Sequence, residues 1–84
     1  MNNRQPTSLR TRLTLQAYLT AYSECVGRVS SDDLYQRAQR YVDKVKPPPW
    51  GAGLARYYYR HGWQDKARGK PCQPWPMSES EKQG

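Results

Sequence analysis

The sequence predicts an all-α fold: a small three-helix domain followed by an extended proline-rich segment and a disordered tail. Apolar residues recur at three- and four-residue intervals in three separate segments, which is the period of an amphipathic helix. Glycine or proline closes each segment. With 84 residues, of which 36% are hydrophobic, the chain holds one small domain with a modest core. We predict that this domain spans residues 1–76 and that 77–84 form the tail.

The first helix is predicted over about 9–26, because Thr7 or Ser8 can cap its opening turn and Gly27 is a natural stop. Two apolar strips follow the helical period, and we expect both in the core, with a partner-binding strip as the alternative. The wider strip consists of Leu15, Tyr18, Leu19, Tyr22 and Val26, and the narrower one of Leu9, Leu13, Ala17 and Ala21.

The second helix is predicted over 31–46 and has consistent signals at both ends. Ser30, with Asp33 three residues on, resembles a capping box, and the lysines near the other end suit the negative end of the helix dipole. Its predicted buried face consists of Leu34, Tyr35, Ala38, Tyr41, Val42 and Val45. The prolines at 47–49 end it and form a stiff spacer; a polyproline ligand for an SH3-like groove is the alternative.

The third helix, predicted over 52–67, has aromatic residues all around it. We expect Leu54 and Tyr58 to close the core. Tyr59 and Trp63, interleaved with Arg56 and Arg60, would then form an outward platform for stacking bases and binding phosphates. The alternative places Trp63 in the core and leaves the arginines on a solvated face.

Glycines and prolines predict the remaining backbone features of this region. Gly62 either kinks the third helix or lets another backbone approach closely, and Gly69 closes the helix in left-handed geometry. The prolines of 71–76 predict an extended segment from which Trp75 folds back onto the helices.

The chain is strongly basic, with 14 Lys and Arg against 7 Asp and Glu, a net charge of +7 and a pI near 9.7. This balance indicates nucleic acid, an anionic membrane or an acidic protein as partner. Without a long apolar run or a secretory signal, we expect a cytoplasmic protein that does not enter membranes. The arginines and hydroxyl residues of 1–23 leave a mitochondrial transit peptide as the alternative.

The sequence does not predict an enzyme, a metal site or a cofactor. Cys25 and Cys72 lie far apart, and with a single histidine they cannot complete a four-ligand zinc site, so we expect two free thiols. His61 has no activated hydroxyl nucleophile, no acidic pair has a spacing suited to acid–base work, and no phosphate-binding glycine loop occurs.

A family resemblance covers about 15 of the 84 residues. Its motif residues are Gly62, Trp63, Gln64, Gly69, Lys70, Cys72, Pro74 and Trp75. Their order resembles the Gly-aromatic-Gln, Gly-basic, Cys-Pro-aromatic pattern of ribosome modulation factor and related small bacterial and phage proteins. The resemblance implies a short, basic, helical protein that binds the small ribosomal subunit near the 3′ end of its RNA. It would put Arg60, Trp63, Lys66, Arg68, Lys70 and Trp75 near RNA.

Together these observations predict a small nucleic-acid-binding protein, RNA- or ribosome-associated, that acts by binding and not by catalysis. Structured RNA is favoured over DNA as partner. The alternative is a small phage-type inhibitor or adaptor of a host protein or nucleoprotein complex, which would use its aromatic residues as hot spots. The predicted nucleic-acid-binding residues are Arg10, Arg12, Arg56, Tyr59, Arg60, Trp63, Lys66, Arg68 and Lys70.

Overall fold

A computed structural model describes residues 9–72, which form three helices and one 3-10 turn. The helices are α1 (Leu9–Glu24), α2 (Ser31–Val45) and α3 (Ala52–Ala67), and the turn spans Pro49–Gly51. The predicted all-α, three-helix fold is confirmed; α1 ends two residues before its predicted end and α2 one. The predicted cap of α1, the segment beyond Cys72 and the tail lie outside the described residues.

The ends of α2 confirm the local signals read from the sequence. The Ser30 hydroxyl accepts a hydrogen bond from the Asp33 backbone N–H at 3.1 Å, and Asp32 joins Asp33 in the first turn. At the other end, Lys46 has a left-handed φ of 56° and its N–H donates to the Val42 carbonyl at 2.8 Å. The three prolines that follow prevent the helix from continuing.

The three helices run up, down and up, with α3 packed against both of the others. Leu13 lies beside Gly51 at the start of α3, and the Tyr22 hydroxyl donates to the Lys70 carbonyl at 2.6 Å beyond its end, so α1 and α3 are parallel. By contrast, α1 and α2 barely touch. Their separation leaves an open groove between them above α3.

Gly62 lies where α1 and α3 cross. A Cβ atom built there would overlap the backbone carbonyl of Tyr18, so only glycine permits this approach. Ala17, Ala21 and Ala55 are fully buried around this point, and their small side chains let the two helices lie close together. Because α3 continues as a helix through Gly62, close approach is the correct one of the two predicted roles.

The small residues also determine how α3 is rotated, and here the sequence prediction was wrong. Tyr59 and Trp63 are buried, whereas Leu54 and Tyr58, the expected core residues, are only half-buried, and of these two Tyr58 packs against the core. Ala55 and Gly62 bring this side of α3 onto α1. The large rings next to them then fill the space toward α2, where Tyr59 meets the Tyr41 ring at 5.1 Å.

Burial along α1 also differs from the two predicted strips, and Leu9 of the narrow strip is 55% exposed. Ala17 and Ala21 of the narrow strip are buried, together with Thr14 and Tyr18. The other members of the wide strip are not: Leu15, Leu19 and Tyr22 are half-buried and Val26 is 81% exposed. On α2, four of the six expected core residues are buried, whereas Tyr35 and Val45 are exposed.

A pair of glycine substitutions in α3 tests the crossing. Gly62→Ala should destabilise the protein by about 1–3 kcal/mol, because the added methyl pushes the two backbones apart. Gly53→Ala, at an exposed position of the same helix with nothing within 4 Å, should stabilise it by up to about 1 kcal/mol. Urea unfolding followed by circular dichroism measures both, and equal stabilisation by the two changes would contradict the crossing.

Candidate nucleic-acid interface

Tyr59 and Trp63 do not form the outward platform that the sequence predicted. Trp63 is 1% exposed and its indole N–H donates to the Gly27 carbonyl at 2.9 Å. Tyr59 is 3% exposed and its hydroxyl donates to the Glu24 carboxylate at 2.7 Å. Both rings therefore satisfy their polar atoms at the C-terminal end of α1, which makes burial favourable. The prediction of an exposed platform at these residues was wrong, and its alternative, with Trp63 in the core, is correct.

The two arginines expected between those rings are partly occupied inside the protein. Arg56 is half-buried and its guanidinium donates to the Gln39 side chain on α2 at 3.1 Å. Arg60 is also half-buried, and its buried Nε has no hydrogen-bond partner among residues 9–72. Because a guanidinium carries several N–H donors, both arginines keep donors beyond these contacts.

The other predicted site residues are exposed but lie at opposite ends of the bundle. Lys66, Arg68 and Lys70 surround the C-terminal end of α3, where the Lys66 ammonium lies 4.9 Å from the Tyr22 ring centre. Arg10 and Arg12 lie in the opening turns of α1. Since α1 and α3 are parallel and a 16-residue helix is about 24 Å long, the two groups are far apart. The structure therefore does not unite the predicted residues in one patch.

A different set of rings faces outward, on the side of α3 away from its packed face. We define the outer face of α3 as Gly53, Tyr57, Arg60, His61, Gln64 and Arg68, which recur at helical spacing. Tyr57 is 52% exposed and stacks on His61, with ring centres 5.9 Å apart and planes 15° apart. Tyr58 packs edge-on against Tyr57 at 5.0 Å. Cations and stacked rings thus do share one face.

Sequence reasoning missed Tyr57 and His61 because they share the side of α3 with Leu54 and Tyr58, which was expected to close the core. The available signal was Ala55 and Gly62, seven residues apart and therefore on one side of a helix. Small residues at that spacing mark a contact face, which places the opposite residues in solvent. Trp50, in the 3-10 turn before α3, is likewise exposed at 53%.

The carboxylates are largely engaged with protein partners. Asp65, which had no role in the sequence analysis, is buried and accepts a hydrogen bond from the Tyr18 hydroxyl at 2.5 Å. Glu24 accepts from Tyr59. Within residues 9–72, the Arg37–Asp33 contact at 3.1 Å is the single ion pair. With 12 Lys and Arg against 5 Asp and Glu in the same residues, the positive charges outnumber the negative ones.

Comparison with known proteins gives no relatives: no family model, curated protein or solved structure matches the chain. In the described part of the chain, no helix has the length and apolar character required to cross a bilayer. The same residues contain no cluster of three or more His, Cys, Asp or Glu that could hold a metal ion.

Because the Tyr59 hydroxyl is buried, the stability of the fold should depend on pH in the alkaline range. Burial, together with the neighbouring Glu24 carboxylate, raises the pKa of Tyr59 well above its usual value. Below pH 10 both the folded and the unfolded chain keep this proton, and above it the unfolded chain loses it first. Stability should therefore fall as pH rises above about 10.

Tyr59→Phe should remove the part of the stability loss above pH 10 that comes from this hydroxyl. At neutral pH it should lower the free energy of unfolding by about 1 kcal/mol, because the hydrogen bond to Glu24 is lost. Urea unfolding at pH 7, 9, 10 and 11 measures it. Tyr35→Phe, at a 48% exposed ring, is the matched control and should behave like the parent protein. An unchanged alkaline loss in the Tyr59 variant would refute the assignment.

Proposed function

We propose that this protein is a small nucleic-acid-binding module that acts by binding, with RNA or a ribonucleoprotein in the cytoplasm as its partner. The observation that carries the proposal is the uncompensated positive charge. Residues 9–72 contain 12 Lys and Arg and 5 Asp and Glu, and one ion pair joins them. Such a surface attracts a polyanion, which releases its counterions on binding.

The outer face of α3 supplies the second component of the proposed interface. Tyr57 and His61 present stacked rings, and Arg60 and Arg68 flank them with positive charge. Stacking on aromatic rings suits unpaired bases, which RNA displays in loops and bulges. The combination favours RNA with single-stranded regions over duplex DNA.

The ribosomal direction of the proposal rests on the resemblance to ribosome modulation factor. Within that motif, Gly62 and Trp63 are buried and serve the packing of α3 in this protein. Lys66, Arg68 and Lys70 remain exposed and available for phosphates. These cations, and not the motif tryptophan, are the residues that would contact RNA.

Fluorescence anisotropy with a structured RNA, a single strand and duplex DNA tests the proposal between about 50 and 300 mM salt. We expect the logarithm of affinity to fall steeply with the logarithm of salt, by about 0.7 per phosphate neutralised on a single strand. The RNAs with unpaired bases should bind best. Weak binding without salt dependence or preference would refute the module.

Two variants of the outer face separate its components. Tyr57→Ala should weaken binding about 5- to 100-fold through the lost stacking, with little change in salt slope. Arg60→Glu combined with Arg68→Glu should weaken it more than tenfold and reduce the slope. Tyr35→Ala, an exposed tyrosine on α2, is the control and should change affinity less than twofold. If it weakened binding as much as Tyr57→Ala, the outer face would not be the interface.

An inhibitor or adaptor of a host protein is the second candidate, and exposed aromatic residues favour it. Trp50 and Tyr57 are each about half exposed, and such rings are typical hot spots of protein interfaces. Loss of partner capture from a lysate in Tyr57→Ala, with retention in the Arg60/Arg68 variant, would support this function over nucleic-acid binding.

A further inference from the structure

The open groove between α1 and α2 is a second candidate site, on the opposite side of α3 from Tyr57. It has a volume of about 360 Å³, within the range of small-molecule sites. Tyr59 of α3 contributes to its lining. The groove exists because α1 and α2 each pack on α3 but barely on each other. Further lining residues include Thr20 and Glu24 from α1, and Arg40, Tyr41 and Lys44 from α2.

Three cations line this groove from one face of α2. Arg37, Arg40 and Lys44 are spaced i, i+3 and i+7, so their side chains project in the same direction. Arg37 is held between the Asp33 carboxylate at 3.1 Å and the Trp63 ring at 4.8 Å. Arg40 and Lys44 are exposed and have no carboxylate partner within residues 9–72. The groove therefore offers two uncommitted positive charges.

The Tyr41 hydroxyl is buried and makes no hydrogen bond of normal geometry within residues 9–72. Tyr41 is 9% exposed, and burial raises the pKa of its hydroxyl, whereas the neighbouring Thr20 side chain lowers that pKa to a smaller extent. Buried polar groups nearly always have partners, and a bound acceptor would complete this one.

Glu24 is the one carboxylate in the groove lining, and the Tyr59 hydroxyl already donates to it. Arg37 and Arg40 also act on Tyr59 in the groove lining. Burial and the Glu24 carboxylate raise the pKa of Tyr59, and the two positive charges lower it to a smaller extent. With three cations against one carboxylate, the groove favours an anion. The Val45 side chain and the tyrosine rings add an apolar wall.

We propose that the α1–α2 groove binds the phosphate group of a nucleotide, with Arg40 and Lys44 as counter-charges and the Tyr41 hydroxyl as hydrogen-bond donor. The ribose or base would lie against Val45 and the rings. A free mononucleotide and one unit of a nucleic-acid chain share this chemistry. The site does not depend on the outer face of α3, so each can exist without the other.

The test is a titration of the ¹⁵N-labelled full chain at low salt with AMP, inorganic phosphate and adenosine, followed by amide chemical shifts. AMP and phosphate should shift the amides of Thr20, Tyr41 and Lys44, and adenosine should not. Equal shifts with adenosine, or AMP shifts away from the groove, would overturn the proposal.

Substitutions sharpen the test. Tyr41→Phe removes only the unpaired hydroxyl and should weaken AMP about 3- to 10-fold without loss of thermal stability. Arg40→Ala should weaken AMP by a similar factor, whereas Arg28→Ala, an exposed arginine outside the groove, should change it less than twofold. Glu24→Gln keeps an acceptor for Tyr59 and should tighten AMP severalfold. Unchanged AMP affinity in the Tyr41 variant would mean that general surface charge, and not a built site, binds AMP. If that variant fails to fold, the other two carry the test: AMP should bind more weakly to Arg40→Ala and more tightly to Glu24→Gln, and the absence of either change would overturn the proposal.

Competition then distinguishes the two phosphate sources. If a short RNA displaces AMP from the groove amides, the phosphate belongs to a nucleic-acid chain. If saturating AMP leaves RNA affinity unchanged, the ligand is a free nucleotide. Arg60 and Arg68 lie outside the groove, so the Arg60→Glu/Arg68→Glu variant should keep its AMP affinity. The groove can therefore be tested even if the proposed RNA interface on the outer face of α3 proves wrong.

Discussion

The contact between Gly62 of α3 and the backbone of Tyr18 on α1 is the constraint on which the rest of the structure depends. It is a contact of main chain with main chain, which no residue with a side chain permits at that point. With α1 and α3 held so close, their interface contains the fully buried Ala17, Ala21 and Ala55, and Tyr18 is the large side chain of α1 that is buried there, bonded to Asp65. Tyr59 and Trp63 pack on the other side of this contact, toward α2.

The interface between α3 and α2 contains the largest rings of the core. Tyr59 and Trp63 fill the space between α3 and α2, and their polar atoms bond to the end of α1 and the loop that follows it. Arg37 covers the Trp63 ring and links the core to the first turn of α2 through Asp33. Two rings thus join all three helices, although α1 and α2 barely meet.

The rotation of α3 also separates the surface into two regions of different chemistry. One side presents the stacked Tyr57 and His61 rings beside Arg60. The other side is the groove between α1 and α2, which is lined by cations of α2 together with Glu24 and Tyr59. Asp65 and Glu24 are bonded to tyrosines from neighbouring helices, so acidic groups add to cohesion while basic groups face solvent. A basic surface over a small, internally bonded core follows from this division.

The sequence by itself determined the three helices, the Ser30 cap, the proline stop and the net charge, because each depends on neighbours within a turn or on composition. The roles of Tyr57, Tyr59 and Trp63 were decided only by tertiary structure. Aromatic residues lie all around α3, so periodicity could not choose its buried side. The choice came from the space beside Tyr18, which only Gly62 can occupy, and that is a relation between residues 44 positions apart.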